Sequence, residues 1–199
     1  MQPLFAQSPL ALGFGAAGLL IWRVLEAVVD FRTFKRVRAG LRRQDQGSRL
    51  ILLCLLVAGT FLGVLLALKV PATAITIAPG LLPWLGLLLL YTGIALRLYA
   101  IAMLGTFFTT TVAVAPGQTV IDRGPYRRIR HPSYTGLLLI LLGCSLGLAN
   151  WLSLLVIMGS ALIGLTYRIR VEEAALQEQL GQPYREYMRS TKRLIPFVL

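Results

Sequence analysis

Residues 134–167 read YTGLLLILLGCSLGLANWLSLLVIMGSALIGLTY, more than 30 consecutive positions without a charge. A helix needs roughly 20 apolar residues to cross a bilayer, so this stretch is too long for one span. It breaks naturally at Gly147-Leu148-Ala149-Asn150. The reading is a tight hairpin of two transmembrane helices. Three further apolar blocks precede it, at about Leu10–Phe31, Leu50–Val70 and Leu81–Leu104. The expectation is an all-α polytopic membrane protein with five transmembrane helices, the last two forming the hairpin.

Charge tests the odd number. Five spans put the Arg32–Arg49 loop, the Gly105–His131 stretch and the tail from Arg168 on one side, and these hold 17 of the 20 basic residues. Cytoplasmic segments of membrane proteins are rich in Lys and Arg, which places the N-terminus outside and the C-terminus inside. A four-span arrangement would split the basic loops between the two sides. The same rule accounts for the net charge of +12, which on a soluble chain would suggest nucleic acid; no nucleic-acid partner is expected here. The chain is 56% hydrophobic and 14% charged, against about 25% charged in soluble domains. Cys54 and Cys144 sit inside apolar blocks and offer neither a disulfide framework nor a C-x-x-C metal spacing, so no metal is expected. The first apolar block lacks a basic flank and a small-residue cleavage site, and reads as a retained span. The whole of 1–199 is expected to form one integral-membrane domain, with three spans in 1–104 and the chemistry in 105–199. An Arg-heavy, compact chain of this kind points by association to a bacterial inner membrane.

Two polar clusters stand at the mouths of apolar segments, where polar groups are costly unless they serve a purpose. The first is Gly124-Pro125-Tyr126-Arg127-Arg128-Ile129-Arg130-His131-Pro132-Ser133-Tyr134, which holds the only histidine. Pro132 forces His131 out of helical geometry and can itself start a helix. Ser133 and Tyr134 then lie in its first turn, where free backbone N–H groups favour an anionic group. Arg127, Arg128 and Arg130 read equally well as anchors to anionic lipid headgroups. The second cluster is Arg168-Ile169-Arg170-Val171-Glu172-Glu173. Arg168 and Glu172 share a helix face and could simply form a salt bridge. That explains less well two adjacent carboxylates beside a membrane; such carboxylates can bind ribose hydroxyls or an ammonium group. Arg23 and Glu26 share a face of the first span and are expected to pair or to face other helices. Arg97, near the end of the third span, could snorkel or reach a site. Gly181-Gln182-Pro183 reads as a helix stop and restart.

These residues resemble the isoprenylcysteine carboxyl methyltransferase family of integral-membrane, S-adenosylmethionine-dependent enzymes. The resemblance runs from about Leu104 to Pro196. It comprises Gly124 and Tyr126; Arg130 to Tyr134 with Gly136; Arg168, Glu172 and Glu173; Gly181, Tyr184 and Tyr187; and Arg193 with Pro196. It implies a cytoplasmic cofactor pocket lined by Gln118, Thr119, Val120 and Ile121. Tyr126, His131, Pro132, Ser133 and Tyr134 would contact the cofactor, and Glu172 with Glu173 would hold its adenosine or amino end. Arg168 matches the family's catalytic arginine, expected to bind the substrate carboxylate. The chain is shorter than the eukaryotic enzymes and has Arg170 where an acid can stand, which leaves the prenyl-protein substrate open.

The implied reaction is methyl transfer to a lipophilic acceptor, foremost the carboxylate of an isoprenylated cysteine-like or other lipid-linked substrate entering from the bilayer. A carboxylate is already ionised and needs no general base, so the protein mainly aligns and desolvates the reactants. A phospholipid N-methyltransferase shares the cofactor site and differs in acceptor; it would want a base, for which His131 is poorly placed. A sterol-type reductase using NADPH has a similar R-H-P-x-Y segment. A transporter or scaffold would place polar groups near mid-membrane. The oligomeric state is not legible.

Overall fold

The structure, a computed structural model, describes residues 9–38, 45–113 and 117–195. It is nearly all helical: α1 Pro9–Arg38, α2 Ser48–Lys69, α3 Leu82–Leu104, α4 Pro132–Leu148, α5 Trp151–Leu180 and α6 Gln182–Ser190. The stretches Pro9–Phe34, Ser48–Lys69, Leu82–Phe107 and Trp151–Leu180 are four helices long and apolar enough to cross a membrane. The other apolar helix, α4, has 17 residues and so spans about 25 Å at 1.5 Å per residue, just short of a hydrocarbon core of about 30 Å. It is short because Pro132 starts it and Ala149, with φ 51° in the left-handed region, ends it. Large apolar side chains such as Leu20, Phe61, Leu88 and Ile163 point outward, as they do on helices whose solvent is lipid.

Small residues set the packing. A Cβ on Gly93 of α3 would lie 2.6 Å from the Gly136 carbonyl of α4, and one on Gly136 would lie 2.7 Å from the Gly93 carbonyl. Only glycine lets these two backbones approach so closely. The α2–α5 crossing is similar, with Gly59 against Ser160 and Gly63 against Ile157. Leu52, Leu137, Leu141, Ile157, Ala161 and Leu165 form one buried cluster, and Ala11, Leu87, Leu90, Ile94 and Ile140 a second. Helix α4 contributes to both, so the short helix is the centre of the bundle. Helix α1 lies against α3, where Tyr91 Oη donates to the Phe14 carbonyl (2.9 Å).

The turn between α4 and α5 is pinned to the end of α2. Asn150 Oδ1 accepts from Ser153 N (3.0 Å), capping α5, and its Nδ2 donates to the Val70 carbonyl (3.1 Å). Ile75 N donates to the Ala149 carbonyl (2.7 Å).

At the opposite end, α5 runs beyond its apolar part to Leu180, and Gly181, with φ 62°, turns the chain into α6. The chain then returns beside the start of α4. Arg130 N donates to the Lys192 carbonyl (2.7 Å) and His131 N to the Arg193 carbonyl (3.0 Å). This parallel strip fixes the entry of α4 against the tail. Of the residues that carry the family resemblance, Pro196 lies outside the described residues.

Candidate active site

The entry to α4 begins with a 3₁₀ turn, Gly124–Arg127. It buries Tyr126, whose hydroxyl donates to the Ala100 carbonyl (3.3 Å). Tyr187 of α6 donates in turn to the Tyr126 carbonyl (2.7 Å). His131 takes the non-helical position ahead of Pro132 (φ −123°, ψ 57°), as the proline requires. Its ring stacks on Tyr134 with centroids 5.5 Å apart.

The two adjacent carboxylates do different things. Glu173 is buried and saturated: Arg130 Nε donates to it (2.8 Å), Arg193 Nη2 lies 3.0 Å away and His131 Nε2 3.3 Å away. It ties the tail to the entry of α4. Glu172 points the other way, about 100 degrees around the helix. Tyr134 Oη donates to it at 2.6 Å and accepts from Arg168 Nε at 3.2 Å. Tyr134 therefore bridges Arg168 and Glu172, and this relay stands where their spacing would also have allowed a direct salt bridge.

Arg168 is 3% exposed. Its Nη1 donates to Ser48 Oγ (2.9 Å) and to Asp45, and its Nη2 to the Thr110 carbonyl (2.9 Å). Asp45 was not legible as a site residue: it is a lone acid in a basic loop, 123 positions from its partner. Its Oδ1 also accepts from Val112 N (3.1 Å) and its Oδ2 from Arg49 N (3.2 Å). Burial alone would raise this carboxyl. The two backbone N–H groups and the Arg168 guanidinium outweigh it and hold Asp45 below the ordinary carboxylate range. Burial, with the nearby Glu172 carboxylate, pushes the Tyr126 and Tyr184 hydroxyls well above theirs, so both stay neutral.

These groups surround two cavities. The first encloses about 90 Å³ and brings together Gln118, Thr119, Val120, Ile121, Tyr126, His131, Ser133, Tyr134, Arg168 and Glu172. Pro132 and Glu173 do not line it. Phe107, Phe108, Thr111, Leu176, Leu180, Tyr184 and Tyr187 also line it. Leu176 and Leu180 follow Glu172 at intervals of four, a helix-face signal that the sequence does carry. The second cavity, about 730 Å³, is mostly apolar and lies among α1, α2, α4 and α5, with Leu19, Trp22, Leu52, Leu56, Leu137 and Ile157 on its wall. Phe108, Thr109, Tyr134 and Arg168 line both.

Arg97 braces this partition from the side. Its Nη1 donates to Ser133 Oγ (2.8 Å) and to the Ser133 carbonyl (3.1 Å). Its Nη2 donates to Glu26 (3.0 Å). Glu26 thus pairs with α3, not with Arg23 on its own helix. Arg127 and Arg128 face outward, whereas Arg130 turns in to Glu173.

The sequence matches the isoprenylcysteine carboxyl methyltransferase (ICMT) family over residues 84–178. It is 32% identical over 144 residues to protein-S-isoprenylcysteine O-methyltransferase A of Arabidopsis thaliana, covering 69% of this chain and 73% of that protein. It is 30% identical over 151 residues to the protein-S-isoprenylcysteine O-methyltransferase of Schizosaccharomyces pombe, covering 74% and 64%. An uncharacterised Bacillus subtilis protein, YpbQ, is 30% identical over 96 residues, covering 48% and 57%. Among solved structures, the eukaryotic intramembrane Ras methyltransferase ICMT superposes with a TM-score of 0.58 at 26% identity, covering 72% of this chain and 51% of that one. The chain therefore spans between about half and three quarters of the length of these relatives.

Proposed function

This chain belongs to the isoprenylcysteine carboxyl methyltransferase family, and from that premise we propose that it methylates the carboxylate of a lipophilic acceptor with S-adenosylmethionine as donor. One observation carries the reading: Tyr134 and Arg168 stand in the common wall of a polar cavity and an apolar one. A water-soluble donor and a membrane-soluble acceptor would meet there.

The donor set of the polar cavity fits the cofactor. Glu172 supplies a carboxylate for an ammonium or ribose group, and Tyr126, Tyr184 and Phe107 supply aromatic wall. The Thr111 hydroxyl, buried on that wall, has no hydrogen-bond partner among the described residues. Buried polar atoms rarely stay unsatisfied. An enclosed volume of about 90 Å³ is below the roughly 300 Å³ of ordinary ligand sites; a nucleoside-sized ligand therefore has to push the 107–113 and 118–121 parts of the wall outward. When bound, the cofactor would supply an electrophilic methyl carbon on a sulfonium sulfur. The chain's own part is positional. Tyr134 holds Glu172 and Arg168 in fixed relation, and Arg168 lines the acceptor side as well as the donor side. The acceptor carboxylate is ionised at neutral pH, so no residue has to take up a proton.

In the membrane, α4 completes five spans as a hairpin with α5. The basic loops and the polar cavity lie in the cytoplasm, in one domain of a bacterial inner membrane. The test is calorimetric binding of S-adenosylmethionine, S-adenosylhomocysteine and NADPH to detergent-purified protein, beside Glu172→Ala. Micromolar binding of the first two, weakened at least tenfold in the variant, supports the reading. Binding of NADPH instead would move the chain to reductase chemistry.

A further inference from the structure

The apolar cavity carries one charge left over from all this pairing. Of the ionisable groups on its wall, Glu26 is held by Arg97 and Trp22, Asp30 by Arg49 (2.9 Å), and Arg168 by Asp45. Arg23 lines the same cavity and is exposed. Among the described residues no hydrogen bond or ion pair reaches it. It feels the Glu26 carboxylate one turn along α1, but the Glu26 oxygens are already taken by Arg97 Nε and Nη2 and by Trp22 Nε1. Each acid on that wall has its own cation, and Arg23 is the surplus.

Its depth makes the surplus costly. Arg23 lies 13 residues from Leu10 and 8 from Phe31, the ends of the first apolar block. At 1.5 Å per residue that is about 20 Å and about 12 Å, too far for one side chain to bring its head group to either interface. An unpaired guanidinium at such depth is expensive and marks a functional site. The cavity it faces is lipid-sized and mostly apolar, and its other charges are paired.

We infer that Arg23 is the counter-ion for the carboxylate of the lipophilic acceptor, an anion subsite inside the apolar cavity. The inference rests on the carboxyl-methylation reading above and adds what Arg168 does not supply. The charge of Arg168 is matched by Asp45, and its donors are engaged by Asp45, Ser48, Thr110 and Tyr134. Arg168 gives direction and Arg23 gives net attraction. The chemistry then clears its own site. A carboxylate oxygen–carbon bond forms as the sulfonium sulfur–carbon bond breaks. The negative charge on oxygen and the positive charge on sulfur disappear together, and no proton is released. The neutral methyl ester has nothing for Arg23 to hold, so the product is bound less tightly than the acceptor.

The experiment compares an N-acetylated S-prenylcysteine acid with its methyl ester on the full chain in detergent. Binding is read by tryptophan fluorescence, since Trp22 lies in the cavity wall, and methyl transfer is measured in parallel. In Arg23→Gln the acid should bind about tenfold more weakly, as expected for one lost charge-assisted contact. Ester affinity should stay unchanged and KM should rise with little change in kcat. Arg23→Lys should recover most of the acid affinity, which a folding defect would not allow. Equal weakening of acid and ester, or no weakening of the acid, overturns the inference even if methyl transfer proceeds. Arg23-dependent acid binding with no methyl transfer by wild type keeps the anion subsite and removes the methyltransferase reading.

Discussion

Asp45 is the residue on which the shared wall turns. It joins the start of α2, the 108–113 segment and α5 through Arg168, Val112 and Arg49. Replacing it with Asn keeps the shape but removes the charge facing a buried guanidinium, and should destabilise the protein by about 2 kcal/mol at neutral pH. The sign with pH follows from its lowered carboxyl. Stabilisation by Asp45 is fully present above the unfolded carboxylate value, about 4, and is lost as pH falls through the lower folded value. Apparent melting temperatures from pH 7 to pH 3 should show wild type converging on Asp45→Asn at the acid end; parallel curves would contradict this. Arg168 and Glu172 stood out because they are four apart on one helix face, and Tyr134 because it belongs to a recognisable motif. Asp45 was not, and neither was the Glu26–Arg97 pair, whose partners stand 71 positions apart. Sequence spacing offered Arg23 as the partner of Glu26; tertiary packing chose Arg97.

At the scale of elements, the α4–α5 turn is tied to its neighbours through Asn150. Asn150 caps α5 and also reaches the end of α2, while 2% exposed. Asn150→Ala removes the cap and the tie to the Val70 carbonyl, which keeps Thr73 N and Oγ1 as donors; it should cost about 1 kcal/mol and lower the apparent melting temperature in detergent. An unchanged melting temperature would show that the turn is held by packing alone. Apolar blocks located the helices well: the break expected at 147–150 falls at Ala149 and Asn150, and α3 covers Leu82–Leu104. Hydrophobicity ended the first block at Phe31, whereas α1 reaches Arg38. The helix stop and restart read at Gly181-Gln182-Pro183 falls where α5 ends at Leu180 and α6 begins at Gln182, since Ala174, Ala175, Leu176 and Gln177 favour helix without being apolar enough to read as span.

For the molecule as a whole, the arrangement is two glycine-packed helix pairs, α3–α4 and α2–α5, with a lipid-sized cavity between them and a polar cavity above the entry of α4. Since the polar cavity encloses about 90 Å³, binding of S-adenosylhomocysteine should reorganise its thinnest wall. Amide hydrogen exchange should slow in 105–113 and 117–121 while α2 and α3 stay unchanged; slowing spread evenly over the bundle would place the ligand elsewhere. The sequence could not announce the two-cavity arrangement, because the apolar cavity is lined by residues indistinguishable from those that face lipid.

The most direct test of the central claim is transfer of a labelled methyl group from S-adenosylmethionine to a prenylated cysteine acid by purified protein. The label should be released by base, as a methyl ester is, and should fall at least a hundredfold in Arg168→Ala. A base-stable label would mean methylation at nitrogen, and absence of transfer despite tight cofactor binding would mean that the two cavities do not meet at Arg168 in the way described.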